Sequence, residues 1–190
     1  RLLAQPLLGC NVYISAGGLP RHARVLTDLL SSTLDRCAVL NGPQSAPNVD
    51  ACVVVHAFSD VVYNRSSFHL AGTEALLPMV VSDLVKETKQ ALSHSRDEEE
   101  AASDSYSHPS VGLVDHVSVM PLAPDAVNFG GNDSLASSDE EFRPQTPWGR
   151  AAREIGTSMT KSDVDVFYYG DADPRRTSLA EVRRRKTTFF

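Results

Sequence analysis

The segment Ala51-Cys52-Val53-Val54-Val55-His56-Ala57-Phe58 limits the fold of this chain more than any other, because only His56 interrupts its apolar, β-branched run. Such composition favours extended backbone. A nearly continuous apolar strand, with no polar alternate face, is the pattern of a central strand covered on both sides. The chain is therefore expected to form a layered structure around a sheet that holds this strand in its interior.

The other elements follow from periodicity and punctuation. Residues 8–15, with Val12, Tyr13 and Ile14, read as a strand ahead of the Gly17-Gly18-Leu19-Pro20 break. Val25, Leu26, Leu29, Leu30 and Leu34 recur at helical spacing and predict a helix over 20–34, with Pro20 suited to its first turn. Residues 66–71 read as a strand pairing back in a hairpin. Val80, Val81, Leu84 and Val85 mark a helix over 77–92. Pro78 belongs in its first turn, because deeper inside it would cost about 3 kcal/mol. A strand over 113–122, a helix over 146–159 capped by Thr146 with Pro147 behind it, a strand over 163–169 and a last helix over 178–186 complete the set. Two polar segments, about 96–107 and 123–146, have too little apolar surface to offset ordering and read as insertions in one domain spanning 1–190. This order predicts the α+β class, with helices against a mixed or antiparallel sheet.

The formal charge of −6 argues against a nucleic-acid or anionic-membrane partner, since the overall field repels both. The basic run Arg183-Arg184-Arg185-Lys186 reads as the solvated face of the last helix, with an anion or partner contact as the alternative. Cys10, Cys37 and Cys52 have no metal-type spacing; they read as reduced, buried small side chains in an intracellular, cytoplasmic protein. No run of about 18 apolar residues would span a membrane, and the first eight residues are too interrupted for a signal peptide.

The chemistry concentrates in His108-Pro109-Ser110-Val111-Gly112-Leu113-Val114-Asp115-His116, where two imidazoles and a carboxylate surround a turn that enters a strand. Histidine takes and gives protons near neutrality, and the Pro and Gly fix the backbone around His108. Each residue also has a plain structural reading. His108 can pack in its turn, Asp115 can support that turn, and His116 can be a satisfied, half-buried strand residue. His56 and His69 read as sheet-face packing, Arg65 as a partner of Asp60, Trp148 as a packing anchor, and His22 and His94 as helix-surface residues. A zinc site is disfavoured because the cysteines are remote from His108 and His116. No Gly-x-Ser-x-Gly elbow supports a serine nucleophile.

Four segments in register carry a resemblance: Val12-Tyr13-Ile14-Ser15; Phe58-Ser59-Asp60 with Tyr63-Asn64-Arg65-Ser66; His108-Pro109 with Gly112 and Val114-Asp115-His116; and Val166-Phe167-Tyr168-Tyr169-Gly170. Together they resemble the N-terminal subdomain of the glutamate formiminotransferase family, most closely its single-subdomain versions in eukaryotes such as plants. The resemblance implies a ferredoxin-like α+β sandwich and a one-carbon transferase that moves a formimino group from N-formiminoglutamate to N5 of tetrahydrofolate. It implies His108 as catalytic acid and base, and Asn64, Arg65, Asp115 and His116 as substrate or folate contacts. His56 and His69 then have a pterin contact as a second reading. No metal is implied.

Ser110 stands where the family pattern has Arg. The two-subdomain enzyme holds folate between its halves, so either a homodimer supplies the second wall or the site is half built. The alternative from another class is a non-catalytic relative that keeps the fold and binds folate or a protein partner.

Overall fold

The structure is a computed structural model that describes residues 6–42, 50–92, 112–122, 146–162 and 164–186. His94, His108, Pro109 and Ser110, the segment 96–107 and nearly all of 123–146 lie outside these residues.

Strand β1 (Leu7–Ile14) leads through the Gly17-Gly18 turn into helix α1 (Pro20–Asn41). Strands β2 (Cys52–Asp60) and β3 (Arg65–Thr73) form the hairpin, helix α2 (Leu77–Leu92) follows, and strand β4 (Val114–Pro121) completes the sheet. All pairings are antiparallel and the order is β2-β3-β1-β4. Two β-α-β halves interleaved in this way give the ferredoxin-like arrangement. Helix α3 (Pro147–Thr160), a 3-10 turn (Gly170–Ala172) and helix α4 (Leu179–Lys186) follow.

Among the described residues, helices cover one face of the sheet. Leu8, Cys10, Val12 and Ile14 of β1 and Phe68 and Leu70 of β3 are buried with Leu26 and Leu29 of α1 and Leu77, Val80, Val81 and Leu84 of α2. Each such side chain contributes roughly 1.5–3 kcal/mol on leaving water. Ile155 and Met159 extend this core from α3. Side chains alternate across a pleated strand, so the intervening residues of all four strands point to the opposite face.

Three expectations need correction. The strand β2 lies at the sheet edge, and its apolar side chains are not covered twice: Val55 is 66 % exposed, and Val53 and Phe58 are also exposed. Cys52 is buried and Val54 and Ala57 pack partly against the core, so one face of the strand does the packing. Among the described residues, 164–169 join no strand of the sheet. Val164 and Val166 pack on the core, and Tyr169 Oη donates to the Val117 carbonyl oxygen at 2.9 Å, so side-chain contacts tie this segment to the sheet. Helix α1 continues past Leu34 to Asn41, and the Asn41 side chain grips the backbone N–H and C=O of Cys52 at 2.9 and 3.0 Å.

Candidate functional site on the open sheet face

The opposite face carries a row with a ring from every strand, in spatial order. His56 of β2 lies 5.6 Å from His69 of β3, His69 lies 6.4 Å from Tyr13 of β1, and Tyr13 stacks on His116 of β4 at 4.3 Å. Strand register produces this row, since His56 pairs with His69 and Tyr13 pairs with His116. Phe58 flanks it, 6.0 Å from His56 and 5.9 Å from His69. Burial, with the neighbouring His56 as second cause, lowers the His69 pKa below its ordinary value. Ser67 Oγ lies 2.8 Å from His69 Nε2. The row therefore offers π-faces together with an imidazole biased toward its neutral form.

A charged cluster closes the β4 end of the row. The Asp115 side chain is only 1 % exposed, and its Oδ2 accepts from one guanidinium nitrogen of Arg65 and one of Arg183, each at 2.6 Å. His116 Nδ1 is 3.2 Å from the same oxygen. The Arg65 guanidinium also lies 4.7 Å from the Tyr13 ring centroid, within cation–π range. The irregular register between Tyr13 and Ile14 against β4 accompanies this arrangement, and such an extra residue re-aims a side chain. A buried carboxylate is tolerated only with such partners. Burial pushes the Tyr169 phenol, which donates to β4, up to about 12.

Arg65, Asp115 and His116, expected from sequence to act together, do converge. Asn64 takes a different position. It sits at the hairpin turn with φ 46°, a conformation Asn tolerates better than most residues. Its Oδ1 accepts from the N–H groups of Gly17 and Gly18 at 2.9 and 2.7 Å, tying the β1–α1 turn to the hairpin. Arg65 reaches Asp115, while Asp60 Oδ1 accepts from the Tyr63 N–H. His22 is not a surface residue: it is 1 % exposed, and its Nδ1 accepts from the N–H groups of Gly17 and Leu19. Its place at the third position of α1 lets it reach back over the turn, a pattern a capping search limited to Glu and Gln overlooks. Trp148 packs against the core and donates from Nε1 to Asp171 at 2.6 Å.

Sequence reasoning missed Arg183, hidden within a run that reads as a solvated helix face. Tyr13 entered only as part of a strand motif. His108 lies outside the described residues, but Gly112, four positions later in the chain, is placed: its carbonyl oxygen accepts from Ser15 Oγ at 2.8 Å, at the same end of β1 as Tyr13. Among the described residues no group of three or more His, Cys, Asp or Glu side chains could hold a metal ion, and no helix is long and apolar enough to cross a membrane.

A four-stranded antiparallel sheet with helices α1, α2 and α3 on one face, and a line of rings ending in a charged cluster on the other, defines an α+β protein whose sheet face is the candidate site. The model of the formiminotransferase domain, N-terminal subdomain, matches residues 7–189, and the chain belongs to that family. No curated protein matches the chain.

Proposed function

We propose that this protein transfers a formimino group from N-formiminoglutamate to N5 of tetrahydrofolate, with the pterin lying on the open sheet face. The observation that carries the reading is the ring row His56, His69, Tyr13 and His116, which ends at Arg65 and Asp115, in a chain of this family. A flat heterocycle matches ring faces, and a carboxylate-bearing donor matches a guanidinium fork.

In this reaction N5 attacks the amidine carbon and forms a tetrahedral adduct. The bond from that carbon to the glutamate nitrogen then breaks. N5 loses a proton and the departing amine gains one, so a group titrating near neutrality serves both steps, a contribution of roughly 10²- to 10⁴-fold in rate. The family resemblance gives that role to His108. Asp115 holds Arg65 in place, while His116 supplies ring surface against Tyr13. Asn64 serves by fixing the hairpin from which Arg65 projects. Small-molecule folate and formiminoglutamate are thus the proposed partners, and a homodimer is a proposed source for a second wall over the face.

Titration with tetrahydrofolate followed by an assay with formiminoglutamate tests this. Turnover in the wild type, lost in His108→Ala with folate binding retained, is the expected result. Folate binding without any turnover would leave a non-catalytic folate-binding relative, and no binding at all would remove the folate reading.

A further inference from the structure

We infer that Asn11 and His69, neighbours across β1 and β3, hydrogen-bond the 2-amino-4-oxo edge of the pterin and so determine which heterocycle the ring-bearing face accepts. The inference rests on the folate reading proposed above and adds to it the residues that read the edge of the ring.

Strand register sets a polar row beside the stacked pair Tyr13 and His116. Asn11 is the Cα partner of His69 on one side and of Ser118 on the other. All three alternate with core-facing neighbours, so they point to the face that carries the rings. Each is half-buried. Among the described residues the Asn11 amide and the Ser118 hydroxyl have no hydrogen-bond partner, and His69 is bonded through Nε2 alone. Half-buried polar groups in this state favour a ligand that supplies the missing partners.

Ser67 determines what His69 presents. Ser67 is fully buried. Its hydroxyl lies 2.8 Å from His69 Nε2, with no other partner among the described residues. A buried hydroxyl with a single acceptor in reach directs its proton there. Nε2 therefore accepts, and the proton of the neutral ring sits on Nδ1. Burial and the neighbouring His56 favour that neutral form. His69 is thus a fixed N–H donor, and the Asn11 side chain beside it offers a carbonyl acceptor.

The reduced pterin has a matching edge. Its 4-oxo group accepts and its 2-amino group donates. The two are meta on one ring, about as far apart as neighbouring strands, roughly 4.8 Å. His69 Nδ1–H on the 4-oxo group and Asn11 Oδ1 on the 2-amino group satisfy both ends at once. N5 is attached to the ring carbon next to the carbonyl, so the same two bonds orient the attacking nitrogen.

Equilibrium binding of tetrahydrofolate and two analogues to the full chain tests this. One analogue, tetrahydroaminopterin, carries 4-amino in place of 4-oxo; the other lacks the 2-amino group. Wild type is expected to bind tetrahydrofolate at least about 10-fold tighter than the 4-amino analogue, whose N–H would meet the His69 N–H. His69→Ala should weaken tetrahydrofolate about 3- to 10-fold, the scale of one neutral hydrogen bond, and shrink that preference to within about threefold. His69→Asn, whose amide nitrogen falls near the place of Nδ1, should keep the preference and guards against a variant that fails to fold. Asn11→Ala should abolish discrimination against the 2-desamino analogue and leave the 4-oxo preference intact. In the ligand-free protein above neutral pH, nitrogen NMR shifts should place the His69 proton on Nδ1. A 4-oxo preference unchanged in His69→Ala, a wild type that binds the 4-oxo and 4-amino ligands equally, or a proton on Nε2 overturns the assignment. If tetrahydrofolate is still bound and turned over in that case, the transfer reaction stands. A wild type that binds no folate removes the folate reading and this inference together.

Discussion

Asp115 gathers Arg65, Arg183 and His116 on one oxygen, so the consequences of changing it are local and large. Removing a buried carboxylate leaves two guanidinium groups facing each other without their anchor. Asp115→Ala is expected to lower the unfolding free energy by about 3 kcal/mol, the low end for breaking a buried pair because both arginines keep some water. Urea unfolding at neutral pH measures it, and a loss below about 1 kcal/mol would show the cluster to be electrostatically slack. His69 gives a second prediction at this scale. Burial and His56 lower its folded-state pKa, whereas the unfolded chain titrates near 6.5. As pH falls, the unfolded state takes the proton first. The His69 contribution is therefore complete above about pH 6.5 and is lost between that pH and the folded midpoint. An NMR titration should place the midpoint below 6.5, and His56→Ala should move it upward; a midpoint at or above 6.5 contradicts the account.

The elements show what pattern can and cannot carry. Helix α2 was legible because its apolar stripe and first-turn proline agree, and α3 because Thr146 and Pro147 mark its start: Thr146 Oγ accepts from the Gly149 N–H at 3.1 Å. Strand β2 was misplaced because exposed apolar residues on an open face look, in sequence, like residues buried by a second layer. Residues 164–169 have strand composition, yet among the described residues they join no ladder and Val164, Val166 and Tyr169 make side-chain contacts, which periodicity cannot separate from ladder pairing. Of the candidate site, Asp115 stands out in sequence beside the imidazoles of its turn, and Arg65 through the family resemblance. Arg183, 68 positions from Asp115, was masked by its basic neighbours, and Asn64 gave no sign that its amide would face backbone. Asn64 accordingly supplies the prediction for this scale. Asn64→Ala leaves the Gly17 N–H and Gly18 N–H without this acceptor and puts Ala at φ 46°, at a cost of about 2 kcal/mol. Asn64→Asp keeps both the acceptor and the tolerance for positive φ, and should stay within about 1 kcal/mol of wild type. Equal losses in the two variants, read by thermal melting, would mean that the turn does not depend on that oxygen.

Across the whole molecule, three thiols report whether the sheet and its helices open as a unit. Cys10 lies on β1, Cys37 on α1 and Cys52 on β2, and all three are free and buried. Burial raises each thiol pKa, that of Cys52 to about 12, so the reactive thiolate is scarce in the native state. Cys52 is also held to α1, because Asn41 bonds its backbone. Reaction with a disulfide reagent at pH 8 must then wait for an opening that frees β1, α1 and β2 together. The expected result is one slow labelling phase common to all three cysteines. The opening free energy it yields should match that from urea unfolding, as for groups exposed only by global unfolding. Variants retaining one cysteine each separate the rates. If Cys37 labels far ahead of Cys10, α1 leaves the sheet independently, and the layer beneath the ring row is looser than its packing indicates. Equal rates would mean that the face bearing Tyr13, His69 and His116 is held by the full cooperative core, the rigidity that a site assembled from four separate strands requires.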